Sequence, residues 1–192
     1  MWPWEHLALG YLVTSLVWRV WGGRIDGWVV AWVGFGTQFP DLVDKTLAWY
    51  VDVLPSSRSL THSALTAAPL SVFVLIVAAH RQRLHWGVAF VLAYHSHLFG
   101  DALPRILEGY YSGLSFLLWP VLPAPPDKGM MAVRQRFVEL VAAPEAYLAA
   151  RPYRVAVVFL MVVLWIDDGF PGPADVGRFL WRSSRFHDSG RQ

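Results

Sequence analysis

Two histidines and an aspartate close the stretch Tyr94–Leu103, YHSHLFGDAL, and they follow an apolar run from Trp86 to Ala93. His97 and Asp101 are spaced i, i+4, so on a helix they share one face at a distance that can chelate a divalent ion. His95 lies two residues from His97, about 200° around a helix of 3.6 residues per turn, and therefore faces away. Three other places put an ionisable residue where apolar periodicity does not ask for one. These are His6 at the head of the first apolar run, Asp41 and Asp44 in FPDLVDK, and His62 in RSLTHS. Asp41 and Asp44 are spaced i, i+3 and share a helical face.

Imidazole and carboxylate without thiolate suit Zn²⁺, Mn²⁺ or Fe²⁺. With no cysteine in the chain, any metal must be held by His, Asp or Glu. The expected ligands are His6, Asp41, His62, His97 and Asp101, around one or two ions, with zinc first and manganese second. Such a centre activates water for attack on an ester or phosphoester. Asp44 is a candidate bridging ligand or general base, and Arg58 a candidate clamp for an anionic group on the substrate.

Each residue also has a plainer reading. His6 fits an interfacial residue at a helix start, Asp41 a first-turn aspartate after Pro40, Thr61–Ser63 an N-cap, and Arg58 a surface charge. His97 resists that reading best, because it comes with His95 and Asp101 at the end of an apolar helix. His80, His85 and His187 are expected to be structural or incidental.

The elements that must position these residues read as all-helical. The 192 residues are 55% hydrophobic and 16% charged, and mean hydropathy is +0.38. An ordinary soluble domain is about a quarter charged, so the composition predicts a polytopic helical membrane protein with four to five membrane helices and one interfacial helix. The candidate spans are Leu7–Trp21, Ser63–Ala79, Leu84–Gly100 and Tyr153–Ile166. Trp28–Phe39 is shorter and holds two glycines, so it half-crosses or re-enters. Met130–Ala142 has helical spacing suited to the interface plane or to packing on the other helices. The prolines of WPVLPAPP should end any helix there. The expected organisation is a helical domain over 1–166 and a polar tail over 167–192. No cleavable signal peptide is evident, and a net charge of +2 gives no reason to expect nucleic acid as a partner.

Chain tracing gives the strongest argument for one site. If each apolar segment crosses in turn, His6, Asp41, His62, His97 and Asp101 all fall on the same face, provided Trp28–Phe39 returns. Arg19, Arg24, Arg81 and Arg83 fall on the opposite face, which the positive-inside rule makes cytoplasmic. The expected location is therefore the cytoplasmic (inner) membrane, with the site facing outward and a membrane lipid or lipid-linked substrate. A metal-dependent transporter and a non-catalytic membrane scaffold or regulator that binds a partner protein are the alternatives. An acid-phosphatase-like mechanism lacks its Ser-Arg pair in GVAFVLAY.

At these residues the sequence resembles the YdjM-like family, described as LexA-binding, inner-membrane-associated metal-dependent hydrolases. The matching pieces run in order over Glu5–Pro120: EHLALGYL, GFGTQFPDLVD, RSLTHS, SHLFGD, and GLSFLLWP. The family reads closer to PDxDH at the second motif, where this chain has Lys45 in place of the histidine. The resemblance implies a helical membrane protein with a His/Asp metal site, distantly similar to zinc-dependent phospholipase C.

Overall fold

The computed structural model describes residues 1–126 and 129–175. The fold is all-α, with no strand among the described residues. Among the described residues seven helices follow in order: α1 Pro3–Trp21, α2 Gly27–Trp49, α3 Ala64–His80, α4 Leu84–Leu107, α5 Gly129–Ala142, α6 Pro144–Ala149 and α7 Pro152–Asp167. A 3-10 helix, Tyr111–Leu118, precedes the proline-rich stretch. It ends at Leu118, as the prolines that follow require.

Local sequence sets the turns. Gly22 ends α1 in the left-handed region at φ 69°, where a side chain would be strained. Asp26 caps α2 by accepting from the Val29 amide at 2.8 Å, and Ser63 caps α3 by accepting from Leu65. Arg81–Arg83 form the tight connection between α3 and α4.

α4 is the hub, packed against α1, α2 and α3, while α7 packs on α1. Tyr11, Trp18, Val29, Val33, Ala89 and Ala93 form the core where α1, α2 and α4 meet. Ala67, Phe90, Tyr94 and Leu98 form a second cluster toward α3. Small residues let the axes approach. A Cβ on Gly36 would lie 2.6 Å from the Phe90 carbonyl and 3.0 Å from Ala93 Cβ. That obstacle is backbone on the hub helix and cannot turn aside. Gly36→Ala is therefore expected to destabilise the fold by about 1–3 kcal/mol despite the gain in helix propensity, read as a lowered thermal midpoint. An unchanged or raised midpoint would show that α2 and α4 can separate at no cost.

Two sequence expectations change here. Trp28–Phe39 is not a separate short segment: α2 runs on through Pro40 to Trp49. Asp41 is thus mid-helix and no first-turn cap. Secondly, no helix among the described residues is long and apolar enough to cross a membrane. The most apolar helices, α3 and α7, have 17 and 16 residues, about 25 Å at 1.5 Å per residue. The longer α2 and α4 carry the buried ionisable residues instead. Asp167 ends α7, and Asp168 accepts from Tyr11 (2.8 Å), Ser15 (2.7 Å) and Arg19 (2.7 Å) of α1. The rest of the tail from 176 on, His187 included, lies outside the described residues.

Candidate metal centre

The five expected ligands come together at one end of the bundle, although they enter from α1 (His6), α2 (Asp41), the loop before α3 (His62) and α4 (His97, Asp101). The return of α2 keeps the chain tracing in register. His6, His62, His97 and Asp101 are all buried, and Asp41 is partly so. His62 Nε2 lies 3.1 Å from His97 Nε2, 3.6 Å from Asp41 Oδ1 and 3.7 Å from Asp101 Oδ2. His97 Nε2 lies 3.9 Å from Asp41 Oδ1. His6 stacks on His97 with ring centroids 3.8 Å apart, and its Nε2 is 3.4 Å from Asp101 Oδ1.

The outer nitrogens decide what the inner ones can do. His97 Nδ1 lies 2.6 Å from the Thr37 carbonyl, which only accepts, so Nδ1 carries the proton and Nε2 keeps a lone pair. His62 Nδ1 lies 2.9 Å from Asp44 Oδ2, and a carboxylate likewise fixes the proton there. The two Nε2 atoms therefore face each other across 3.1 Å, a contact that is favourable only with a proton or a cation to share. His6 Nδ1 is buried without any hydrogen-bond partner. Orphaned and facing lone pairs of this kind fit a divalent ion.

The charges agree. Burial disfavours charge on His62, but its contacts with Asp41 and Asp44 outweigh this and raise its pKa. Burial alone would raise Asp41, yet His62, His97 and Lys45 hold it well below the usual carboxylate range. Asp101 is likewise held low against its burial, mainly by the Arg58 guanidinium, whose Nε donates to Oδ2. Both carboxylates are ionised at neutral pH, as ligands must be. Two groups of three donors lie within 4.8 Å of one another: His6, Asp41 and His97, and His62, His97 and Asp101. Three protein ligands with a position left open is the usual donor count of a catalytic zinc.

Asp44 stands behind this cluster. Its oxygens accept from the amides of Ser59 (2.9 Å) and Thr61 (2.9 Å), the Thr61 hydroxyl (2.7 Å) and His62 Nδ1. They face the loop and the outer edge of His62, and Asp44 belongs to neither donor group. Arg58 lines the mouth beside Asp101. Lys45 pairs with the outer oxygen of Asp41. His95 is exposed and turned to the Val91 carbonyl, as its spacing predicts, and His80 and His85 are exposed at the far turn.

Three supporting residues carry no signal in spacing alone. Tyr94 donates from inside α4 to the Thr61 carbonyl. Ser63 donates to the Trp119 carbonyl at 2.6 Å, which ties the THS motif to the WP motif and seats Phe116 against the His62 ring. Glu5 accepts from the Trp2 amide at 2.7 Å and from Arg154 at 3.3 Å. A cavity of about 390 Å³ opens onto His6, Asp41 and Asp101.

A family model described as YdjM inner membrane protein matches residues 1–168. No curated protein matches the chain, and neither does any solved structure.

Proposed function

The chain belongs to the YdjM inner membrane protein family, and on that premise we propose that it is a membrane-associated, metal-dependent hydrolase of esters or phosphoesters. The observation that carries the reading is the 3.1 Å approach of the His62 and His97 Nε2 atoms, each with its other nitrogen tied to an acceptor. His6, Asp41, His62, His97 and Asp101 would hold the ion, zinc before manganese. The two donor groups share His97, whose one free nitrogen serves one ion, so the centre takes a single ion. Bound there, a divalent ion supplies Lewis acidity and acidifies water. The chain supplies the rest. Asp44 and the Thr37 carbonyl fix the imidazole tautomers, Arg58 orients Asp101 and offers charge to an anionic substrate, and the burial of the cluster excludes bulk water.

Membrane association rests on surface as well as family. α3 presents Val72, Phe73 and Ile76 outward, each more than half exposed, and α7 presents Phe159 and Ile166 in the same way. Such apolar faces are a liability in water and suit acyl chains. These faces and the family's membrane association support a lipid or lipid-linked substrate.

Protein purified in detergent without chelator is expected to carry about one zinc or manganese per chain by elemental mass spectrometry. It should also hydrolyse a phosphodiester or lipid phosphate in a metal-dependent way. No bound metal after reconstitution with excess ions would end the hydrolase reading. Metal without hydrolysis across both substrate types would favour a sensor or scaffold.

A further inference from the structure

A second basin of about 430 Å³ adjoins the cavity over the cluster and shares Arg58, Asp101 and Arg136 with it. Five guanidinium groups line this basin, those of Arg58, Arg105, Arg136, Arg151 and Arg154, against two carboxylates, Asp101 and Glu108. Two of the arginines are held by neutral partners, which position a guanidinium without cancelling its charge. Arg105 donates to the backbone carbonyl of Asp101 and lies over the Phe116 ring. Arg151 donates to the Tyr147 carbonyl at 3.0 Å and sits 3.9 Å over the ring of the same residue. Arg154 is partly matched by Glu5.

Planar, fixed guanidinium forks suit phosphate oxygens better than any other common anion. The basin touches the metal cluster through Asp101 and Arg58. On the other side of that junction the first cavity offers Trp2, Trp4, Pro125 and Pro126, a wall for an apolar group.

We propose that this basin is an anion subsite in which Arg58, Arg105, Arg151 and Arg154 take a second phosphate of the substrate, so that the site fits a diphosphate ester of an apolar alcohol. The identity of the scissile ester rests on the metal-centre reading, but binding of the second phosphate does not.

The test is calorimetric titration of metal-stripped protein in detergent with orthophosphate, inorganic pyrophosphate and dodecyl diphosphate. Pyrophosphate is expected to bind about tenfold more tightly than orthophosphate, and added salt should weaken it. Arg105→Ala/Arg151→Ala should erase the difference, and His97→Ala should keep it. Dodecyl diphosphate binding more tightly than pyrophosphate supports a lipid-borne diphosphate, while equal affinity supports the subsite with a soluble diphosphate as its ligand. Equal binding of orthophosphate and pyrophosphate to the unmutated protein overturns the subsite, and that comparison needs no variant to fold. Metal content measured on separate, unstripped protein reports on the metal centre alone, so either reading can fail without the other.

Discussion

His97→Ala is expected to purify with less than about a tenth of the metal held by the unmutated chain. Its helical circular dichroism should be retained. His97 belongs to both donor groups, so no set of three survives its loss. His6→Ala and His62→Ala each leave one group whole, and both should keep more metal than His97→Ala does. That ranking separates a shared centre from a loose pool of surface carboxylates, in which all three variants would lose metal alike. The fold should persist because His97 docks through a single acceptor, the Thr37 carbonyl, while the packing of α2 on α4 rests on Phe90, Ala93 and Gly36. The substitution also removes the facing lone pairs that the metal-free protein has to accommodate. A His97→Ala chain with unchanged metal stoichiometry would remove the ligand assignment.

The same cluster shows what spacing can and cannot convey. His97 and Asp101 were legible because i, i+4 is a property of one helix. His6, Asp41 and His62 were legible because alternate crossings assign a side to each helix end, whatever surrounds the helices. Partner-dependent facts were not legible. The two glycines of Trp28–Phe39 weaken a helix read alone, yet Gly36 is required by the Phe90 backbone, a neighbour known only after folding. The apolar runs of α2 and α4 read like lipid-facing spans because burial among helices and burial in acyl chains select the same side chains. What separates α2 and α4 from uninterrupted apolar runs is the placement of Asp41, Asp44 and Asp101 within them. Tyr94 and Asp168 look ordinary in sequence, since each acts through long-range hydrogen bonds, Tyr94 to the Thr61 carbonyl and Asp168 from Tyr11, Ser15 and Arg19.

Asp44→Ala is expected to cost more stability than the loss of any ligand, about 3–5 kcal/mol, or on the order of 10 °C in thermal midpoint for a chain of this size. The reason is the number of donors that one buried carboxylate serves. Without it the amides of Ser59 and Thr61 and His62 Nδ1 lose their acceptor inside the protein, and each orphaned buried donor costs about 1–3 kcal/mol. The loop before α3 then loosens, and with it the tautomer of His62. Metal affinity should accordingly fall by about 10- to 100-fold, the usual effect of removing a group that orients a ligand. Asp44→Asn tests whether charge or shape matters. It keeps the volume, but its NH₂ must face either the Thr61 amide or His62 Nδ1, both donors, so it should recover only part of the loss. Acid gives an independent reading. Burial would raise the Asp44 pKa, but His62 and the Thr61 amide hold it below the unfolded value. Its contribution is therefore complete above about pH 4 and is lost as pH falls through the lower, folded pKa. Over that acid range the unmutated chain should lose stability more steeply than Asp44→Ala, and the two curves should converge. Parallel curves would show that Asp44 is not the charge that holds the loop and His62 in place.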